Sequence, residues 1–395
     1  MTLLSPSSRP ALVQAFTAPK GFGDQTLRDR RPDAIELLGG IPDATVLPTA
    51  ELAEATARVL SRPGAASLQY SRTEGIPALR EWIAAREGVA VDRVLITNGG
   101  FHGLALAVQT VLERGDLVAV DNPVFPLFLR GLELADARVL PIRVGSAGLD
   151  IDELEQRLRD GARPAAVYTV PEFHNPSQSS LPTAKRRELV ALAERYGFTV
   201  FADDPYRELR FHGEAESVAP FHDSDHVIHV NTFTKTLGPG LRLGWVVLPE
   251  RLIQDAVALR SRQDSHSSTF VQGVVAELLT TDESLFDRVL GRARDLYRSR
   301  AHTLAAELSA SGFFDVAVPD GGLFLWPRLT DDHIDADRLA ADASTEGVEY
   351  QRGSFFASGP GADADRHLRL AYGDTSEELL REAAARLSRA AARQR

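Results

Sequence analysis

The chain has 395 residues, of which 44% are hydrophobic and 25% are charged, and this balance is typical of a globular protein with two or three domains. It has no cysteine, which excludes a disulfide framework, a thiolate metal site and a cysteine nucleophile. A net charge of -11 argues against a nucleic-acid partner. No apolar run reaches the roughly 18–20 residues that span a bilayer, and the first residues do not resemble a secretory signal. We therefore expect a soluble cytoplasmic protein without nucleic-acid or membrane partners.

Short β-type runs alternate with helical patterns between about residues 50 and 265. Several of these runs are almost wholly apolar, as expected for strands that are buried on both faces of a largely parallel sheet. The helical patterns between them end at glycines such as Gly115 and Gly197. This alternation predicts a large doubly wound α/β domain over residues 49–265. The predicted strands are Arg93–Thr97, Leu117–Asp121, Arg138–Ile142, Ala165–Val170, Phe198–Ala202, Val227–Asn231 and Gly244–Leu248.

The segments on either side of this domain have a different pattern. We expect residues 266–395 to form a small C-terminal α+β domain, and residues 1–48 to form an N-terminal arm and part of the small domain. Thr375 and Glu378 have the spacing of a capping box for the last helix. The other elements predicted in the C-terminal segment are a long helix over Glu283–Leu308 and short strands near Gly322–Trp326 and Leu368–Tyr372.

The segment VNTFTKTLGPGLRLGW contains the most informative lysine. Lys235 follows a predicted strand, lies between Thr232 and Thr236 with Thr234 beside it, and precedes Arg242. A lysine at a strand end can act as a Schiff-base nucleophile when its amine is partly desolvated. The hydroxyls and the guanidinium nearby would suit a phosphate. The alternative is a surface lysine in a turn, although the chain has only three lysines in all.

Three further motifs follow predicted strands. FTVFADDPYRELRF places Asp203 and Asp204 at the carboxyl end of a buried strand, where open α/β sheets bind their ligands. YTVPEFHNPSQSS carries Asn175 in an Asn-Pro turn. RVLITNGGFHGLALAVQTVL is a strand, a glycine pair and a helix, and the free backbone amides at the helix start, around Gly100, can bind an anion. Taken alone, each motif also has an ordinary structural interpretation.

These motifs, in this order and over nearly the whole chain, resemble those of the fold type I pyridoxal-phosphate enzymes, in particular class I/II aminotransferases of the 2-aminoadipate and aromatic type. The resemblance implies an α/β protein with a three-layer fold, a mostly parallel central sheet and a smaller α+β domain. It also implies pyridoxal 5'-phosphate as cofactor, held as a Schiff base by Lys235. The implied activity moves an amino group from an L-amino acid to a 2-oxo acid.

The resemblance also implies roles for individual residues around the cofactor. Asp203 would pair with the pyridine nitrogen, with Asp204 as the alternative, while Tyr206 and Asn175 would hydrogen-bond the phenolic oxygen. A carboxylate at the ring nitrogen keeps that nitrogen protonated, so the ring can accept electrons. Lys235, Asp203 and Tyr206 are the implied catalytic residues. The other implied cofactor contacts are the backbone of Gly100 and Phe101 at the phosphate, Phe125 stacked on the ring, and Thr232, Thr234 and Arg242.

The same resemblance implies where the substrate and a second subunit bind. Arg369, in HLRLAYGD, matches the arginine that holds the substrate α-carboxylate, and a guanidinium fork suits that group. Gly40, in ELLGGIPD, matches a glycine beside the substrate, which Asn175 would also contact. Tyr70, in LQYSRTEGIPALREWIA, matches a tyrosine that reaches the phosphate of the neighbouring subunit. The resemblance therefore implies a homodimer with shared active sites.

Two other functions stay open at this point. The family usually continues its Asn-Pro turn with Thr-Gly, whereas this chain has Ser177 and Gln178, so another outcome on the same cofactor is conceivable: elimination, cyclisation, decarboxylation or oxidation. A ligand-sensing regulator is less favoured, because the short segment before the first motif leaves no room for a DNA-binding domain. We expect no metal site at His222, His226 and His229, since no carboxylate pattern nearby completes a ligand set.

Overall fold

The computed structural model describes Arg31 and residues 33–361 and 363–395. The predicted N-terminal arm is thus described only from Arg31 onwards, and Lys20 lies outside the described residues. The described strands are β1 (Ile35–Leu37), β2 (Val94–Thr97), β3 (Leu117–Asn122), β4 (Arg138–Gly145), β5 (Gly148–Leu149), β6 (Ala166–Thr169), β7 (Thr199–Asp203), β8 (Val227–Thr232), β9 (Gly244–Val247), β10 (Phe314–Asp315), β11 (Phe324–Leu325), β12 (Arg328–Leu329), β13 (Val348–Arg352) and β14 (Leu368–Ala371). The described α-helices are α1 (Thr49–Leu60), α2 (Pro77–Glu87), α3 (Gly100–Val111), α4 (Pro126–Glu133), α5 (Ile151–Arg159), α6 (Thr183–Tyr196), α7 (Ala219–His222), α8 (Ile253–Ser261), α9 (Thr269–Thr281), α10 (Leu285–Ala310), α11 (Ala336–Thr345) and α12 (Glu377–Ala392).

The larger sheet of the described residues has the strand order β2-β9-β8-β7-β6-β3-β4-β5. Strands β8, β7, β6, β3 and β4 run parallel, whereas β9 is antiparallel to both of its neighbours. Each strand predicted for the large domain is present, and its ends differ from the prediction by three residues at most. Strands β6, β7 and β8 are buried along their whole length, because helices cover both faces of the sheet. The predicted mostly parallel α/β sheet is confirmed.

A left-handed glycine ends helix α6 as predicted, whereas α3 ends at Val111, before the predicted Gly115, and Leu112 caps it in an extended conformation. Helix α6 stops at Gly197, whose φ is +79°, and the next strand begins two residues later. Glycine adopts this backbone conformation without a steric penalty, which makes it a common helix terminator. Because these strands run parallel, their carboxyl ends lie at one edge of the sheet, which is where α/β proteins bind ligands.

A second, four-stranded sheet in the described chain has the order β1-β13-β14-β11. It joins β1 from the N-terminal segment to three strands of the C-terminal segment, and α10 and α12 pack together beside it. The predicted long helix is present as α10, and the buried side of α12 carries Leu380, Ala383, Ala384 and Leu387. The predicted capping box is wrong by one residue. Ser376, rather than Thr375, accepts the backbone N–H of Leu379 at the start of α12.

Helix α9 connects the C-terminal segment to the large sheet. Its buried residues belong to the same apolar cluster as strands β2 and β9, although the sequence analysis placed residues 266–395 in the small domain. The domain boundaries stay predictions, and this packing favours a boundary after α9. Among the helices of the described residues, none has both the length and the apolar character needed to cross a membrane.

Candidate active site

A cavity of about 780 Å³, counted up to its open mouth, lies at the carboxyl ends of β6, β7 and β8. All of the site residues predicted from the sequence line this cavity, except Tyr70 and Arg369. The predicted residues that line it are Gly40, Gly100, Phe101, Phe125, Asn175, Asp203, Tyr206, Thr232, Thr234, Lys235 and Arg242.

The amino end of α3 lines the cavity, and glycines allow other groups to approach it closely. Gly99 precedes the helix with a φ of +86°, and a Cβ there would lie 2.7 Å from Nη2 of Arg242. A Cβ on Gly244 would lie 2.9 Å from the backbone nitrogen of Gly100. Free helix amides, the hydroxyl of Thr234 and a guanidinium together form a donor set for a phosphate. The helix start is therefore the expected anion end of the cavity.

Lys235 extends into the cavity from a short turn between β8 and β9. Thr232 accepts the backbone N–H of Thr234 at 3.1 Å, and the buried ring of Phe233 anchors the turn in the apolar cluster below. The ammonium Nζ of Lys235 donates a hydrogen bond to the carbonyl of Gly40 at 2.7 Å. Burial, followed by the positive charge of a nearby arginine, lowers the pKa of Lys235 to about 8. An amine with this pKa is far more nucleophilic near neutral pH than a surface lysine.

Asp203 and Asp204 are adjacent at the end of β7, but their side chains have different surroundings. Asp203 lines the cavity and accepts a hydrogen bond from the hydroxyl of Tyr168 at 2.9 Å. Asp204 instead contacts Nε2 of His229 at 3.1 Å, on the other side of the strand. Of the two alternatives for a carboxylate at the cofactor, the geometry favours Asp203. Burial raises the pKa of Asp203 to about 7, although the hydrogen bond from Tyr168 acts in the opposite direction.

Arg369 is fully buried next to the cavity, behind Asn175. Its Nη1 donates to Oδ1 of Asn175 at 3.2 Å, and its Nη2 donates to the carbonyl of Leu38. The guanidinium carbon lies 4.4 Å from the ring centre of Phe324 and 4.9 Å from that of Phe356. These contacts fix both the plane and the direction of the guanidinium.

Tyr206 lies between Lys235 and the small sheet. Its ring centre is 5.9 Å from Nζ of Lys235, and the ring packs edge-on against Phe324 at 5.8 Å. Burial raises the pKa of Tyr206 above its ordinary value, although Arg369 and a hydrogen bond with Asn175 act to lower it. The hydroxyl therefore keeps its proton near neutral pH and can donate a hydrogen bond into the cavity.

Comparison with known proteins identifies the family. Residues 39–387 match the model of the family "Aminotransferase class I and II". The chain belongs to this family. The chain is 34% identical to the 2-aminoadipate transaminase of Thermus thermophilus over 91% of each sequence, and 29% identical to aromatic-amino-acid aminotransferase 1 of Thermococcus litoralis over 90% of this chain and 87% of that one. The solved α-aminoadipate aminotransferase of Thermus thermophilus, complexed with N-(5'-phosphopyridoxyl)-L-leucine, superposes with a TM-score of 0.88 at 31% identity, covering 98% of this chain and 97% of that one.

The protein is thus a pyridoxal-phosphate-dependent aminotransferase with amino acid and 2-oxo acid substrates. The predicted fold class, cofactor and activity are confirmed. Independently of these comparisons, the residues of the cavity fit the cofactor, because they bring a phosphate donor set, a buried amine and a carboxylate together. The sequence left open elimination, cyclisation, decarboxylation or oxidation on the same cofactor, and the family supports transamination instead.

Tyr70 lies apart from the cavity of its own chain. Its side chain is 92% exposed, and its ring contacts His266 edge-on at 5.8 Å between centres. Leu68, two residues earlier, is also largely exposed. The aminotransferase chain by itself therefore does not bring Tyr70 to the site that the sequence predicts for it.

The structure adds residues to the aminotransferase site that the sequence analysis missed. Tyr168 hydrogen-bonds Asp203, and a tyrosine inside a predicted buried strand was a usable signal, because a buried hydroxyl needs a partner. Phe324 lines the cavity and packs on Arg369, but nothing in the sequence distinguishes it from a core phenylalanine.

The sequence showed no carboxylate pattern near the histidines, but the fold brings one beside two of them. Glu87, at the end of α2, places its Oε2 3.7 Å from Nε2 of His222 and 4.0 Å from Nδ1 of His229. The sequence could not show this contact, because Glu87 is more than 130 residues away from both histidines. His226 lies apart, with its ring bound to the carbonyl of Phe198 at 3.0 Å.

Proposed function

We propose that this aminotransferase binds its cofactor between Lys235 and Asp203 and takes the amino group from an L-amino acid with a large side chain, 2-aminoadipate or an aromatic amino acid, with a 2-oxo acid as acceptor. The observation that carries the proposal is the convergence of a buried amine, a buried carboxylate and an anion-binding helix end on one cavity. The names of the relatives in Thermus and Thermococcus support the substrate class.

Each polar group in the cavity has a distinct role in this proposal. Bound pyridoxal phosphate supplies an aldehyde that reacts with amines and a ring that accepts an electron pair. The first amides of α3 hold the phosphate, and Asp203 holds a proton at the ring nitrogen. Tyr206 and Asn175 donate hydrogen bonds to the phenolic oxygen. Lys235 binds the aldehyde at rest and, once a substrate has displaced it, moves the proton of the substrate α-carbon.

Arg369 is the proposed anchor for the substrate α-carboxylate. A carboxylate needs a fixed guanidinium whose donors face it in one plane. The two phenylalanine rings and the contacts with Asn175 and Leu38 fix that plane before substrate arrives. Binding then orients the α-carbon with little loss of side-chain freedom.

The reactivity of Lys235 is expected to follow its lowered pKa. An amine attacks an aldehyde only in its uncharged form, and the fraction of this form is half at about pH 8 instead of at the ordinary value of 10.5. We expect the rate of cofactor uptake by the apoenzyme to rise up to about pH 8 and then level off, and to fall roughly tenfold per unit below pH 7. Stopped-flow absorbance measures this rate, and a rise that continues beyond pH 10 would contradict the proposed environment of the amine.

The substrate class is tested by the first half-reaction. Purified holoenzyme is mixed with single L-amino acids without any oxo acid, and the absorbance of the cofactor is followed. We expect 2-aminoadipate or aromatic amino acids to convert the cofactor at least about tenfold faster than alanine, because one extra apolar contact changes selectivity by that order. A faster reaction with alanine or aspartate contradicts the substrate class but leaves the aminotransferase activity intact.

We also infer a homodimer in which Tyr70 completes the phosphate site of the partner. Its exposure in the single chain supports this, since a large side chain that is 92% exposed next to an exposed leucine is available to a second subunit. Tyr70→Ala and Lys235→Ala should each have low activity as pure dimers. Co-expressed and isolated as a mixed dimer, they should regain activity, because one of the two sites then has both residues. No gain in the mixed dimer would contradict the shared site.

Two further expectations from the sequence remain predictions. Cytoplasmic location is one, and fractionation of the producing cells tests it. The domain boundaries are the other, and limited proteolysis of the enzyme tests whether the chain is cut after α9 rather than before it.

A further inference from the structure

A buried polar network lies on the side of β7 that faces away from the cavity. Its members are Glu87, Asp204, His222 and His229, and each of them is at most 5% exposed. Nδ1 of His222 lies 3.0 Å from the backbone carbonyl of Glu87, Nε2 of His229 lies 3.1 Å from Asp204, and the two rings face each other through Nε2 of His222 and Nδ1 of His229 at 2.9 Å. Neither the proposed mechanism nor the core packing uses this network.

The partners of the network determine where its protons are. A carbonyl oxygen only accepts, so Nδ1 of His222 donates to Glu87. Oδ2 of Asp204 lies 3.1 Å from Nε2 of His229 and 4.0 Å from the guanidinium of Arg207, and this positive charge favours the ionised carboxylate. Asp204 is thus an acceptor, and Nε2 of His229 donates to it. With both histidines neutral, the two nitrogens that face each other at 2.9 Å would both be bare acceptors, which is repulsive. One of them must carry a proton.

We infer that His229 is a buried imidazolium that donates to Asp204 through Nε2 and to a neutral His222 through Nδ1. It acts as a positioning residue: its charge neutralises Asp204 and thereby keeps the adjacent Asp203 ionised. The second half of this inference rests on the proposed role of Asp203 at the ring nitrogen.

The charges around the histidines favour this assignment. Nε2 of His229 lies 3.1 Å from a carboxylate oxygen of Asp204, whereas Nδ1 of His222 faces a backbone carbonyl at 3.0 Å, so the extra proton belongs to His229. Arg207 lies 2.6 Å from Glu87 and 4.0 Å from Asp204. Two carboxylates, one guanidinium and one imidazolium together have no net charge, which is the arrangement that burial tolerates best. Other groups that face the network are Trp245, which donates to Glu87 at 2.9 Å, the ring of Phe221, and Arg186, which is paired with Glu172 beyond Asp204.

A metal ion is the alternative source of positive charge between the rings. Glu87, His222 and His229 are close enough together to hold one, and Oε2 of Glu87 has no hydrogen-bond donor. However, two histidine nitrogens bound to tetrahedral zinc at 2.0–2.1 Å would be roughly 3.3 Å apart. The observed 2.9 Å is the length of an N–H···N hydrogen bond. The geometry therefore favours a proton.

The link from this network to the cavity is electrostatic. Asp203 and Asp204 are consecutive residues, and the charge of Asp204 raises the pKa of Asp203. An uncompensated Asp204 would therefore favour a protonated, neutral Asp203, which could not stabilise a charged ring nitrogen. The imidazolium offsets the charge of Asp204 and so preserves the charge of Asp203.

The protonation state is tested on the wild-type holoenzyme with ¹⁵N-labelled histidine. At pH 7.5, we expect the NMR spectrum to show one histidine, His229, with both ring nitrogens protonated and slow exchange of its N–H protons with solvent. The signal of this doubly protonated histidine should be absent from His229→Gln and retained in His226→Gln, the matched control at the residue just before the same strand. The wild-type spectrum shows whether a doubly protonated buried histidine is present even if a variant does not fold. Two neutral histidines, or one equivalent of metal in the purified enzyme by mass spectrometry, would overturn the assignment.

The positioning role is tested with ¹⁵N-labelled cofactor and a charge-compensating variant. His229→Gln should lower the proton-binding constant of the ring nitrogen, and kcat at pH values above its pKa, each by about tenfold, which corresponds to one pKa unit. Asp204→Asn/His229→Gln removes both charges and should restore both values to within about threefold of the wild type. A double variant that is as impaired as the single one overturns the role of His229. A ring nitrogen that is unprotonated in the wild type instead contradicts the proposed role of Asp203, so the two failures are distinguishable.

Discussion

Replacing Lys235 by alanine is expected to lower kcat by at least about 10⁴-fold. The change removes both the amine that binds the cofactor aldehyde and the base that moves the proton of the substrate α-carbon. Its removal also leaves the carbonyl of Gly40 without the 2.7 Å hydrogen bond that it accepts from Nζ. Steady-state assays with saturating cofactor measure the loss, so that weaker cofactor binding does not hide the effect on chemistry.

The control for this variant is Lys185→Ala, because Lys185 is a partly exposed lysine that is paired with Glu188 at 2.6 Å. This variant should retain wild-type activity. A small primary amine in the buffer should restore part of the activity of Lys235→Ala, since a free amine can enter the cavity and take over the proton transfer. Activity of Lys235→Ala within tenfold of the wild type would show that another group carries the reaction.

The second large effect is expected for Asp203→Asn, which should lower kcat by roughly 10²–10⁴-fold. Asparagine has the same shape and can still accept the hydrogen bond from Tyr168, but it cannot hold a charged ring nitrogen. The loss should appear in kcat with little change in KM, because the carboxylate acts on the transition state and does not touch the substrate carboxylate.

Graded variants separate the charge of Asp203 from its position. Tyr168→Phe removes only the 2.9 Å hydrogen bond to Asp203 and should cost about tenfold in kcat. Asp203→Glu keeps the charge but displaces it, so its activity should lie between those of the wild type and Asp203→Asn. If Asp203→Asn and Tyr168→Phe have equal activity, the charge of Asp203 has no special role.

Local patterns in the sequence were sufficient to predict most of the fold. Strands β6, β7 and β8 are buried on both faces, so their apolar runs are visible without any knowledge of their neighbours. Helix α6 ends at a glycine for a local steric reason. The last helix shows the limit of this approach: Thr375 and Ser376 are both good caps, and the sequence does not decide which hydroxyl faces the helix start.

Contacts between distant parts of the chain account for what the sequence did not show. Lys235 and Asp203 could be placed together from the sequence, because both lie at the ends of strands that meet at one edge of the sheet. Glu87 reaches the histidines from helix α2, and no periodicity in either segment encodes that approach. Tyr70 is 92% exposed in the single chain, and no local pattern in its segment indicates which surface a second subunit would present to it.

The attachment point of the cofactor tests the central claim most directly. Holoenzyme is treated with borohydride, which makes the bond between lysine and cofactor permanent, and is then digested and analysed by mass spectrometry. With only Lys20, Lys185 and Lys235 in the chain, the map is complete with few peptides. We predict that the added mass lies on Lys235 alone, with nearly one cofactor per chain. Modification of Lys20 or Lys185 instead, or a protein with no attached cofactor, would contradict the account.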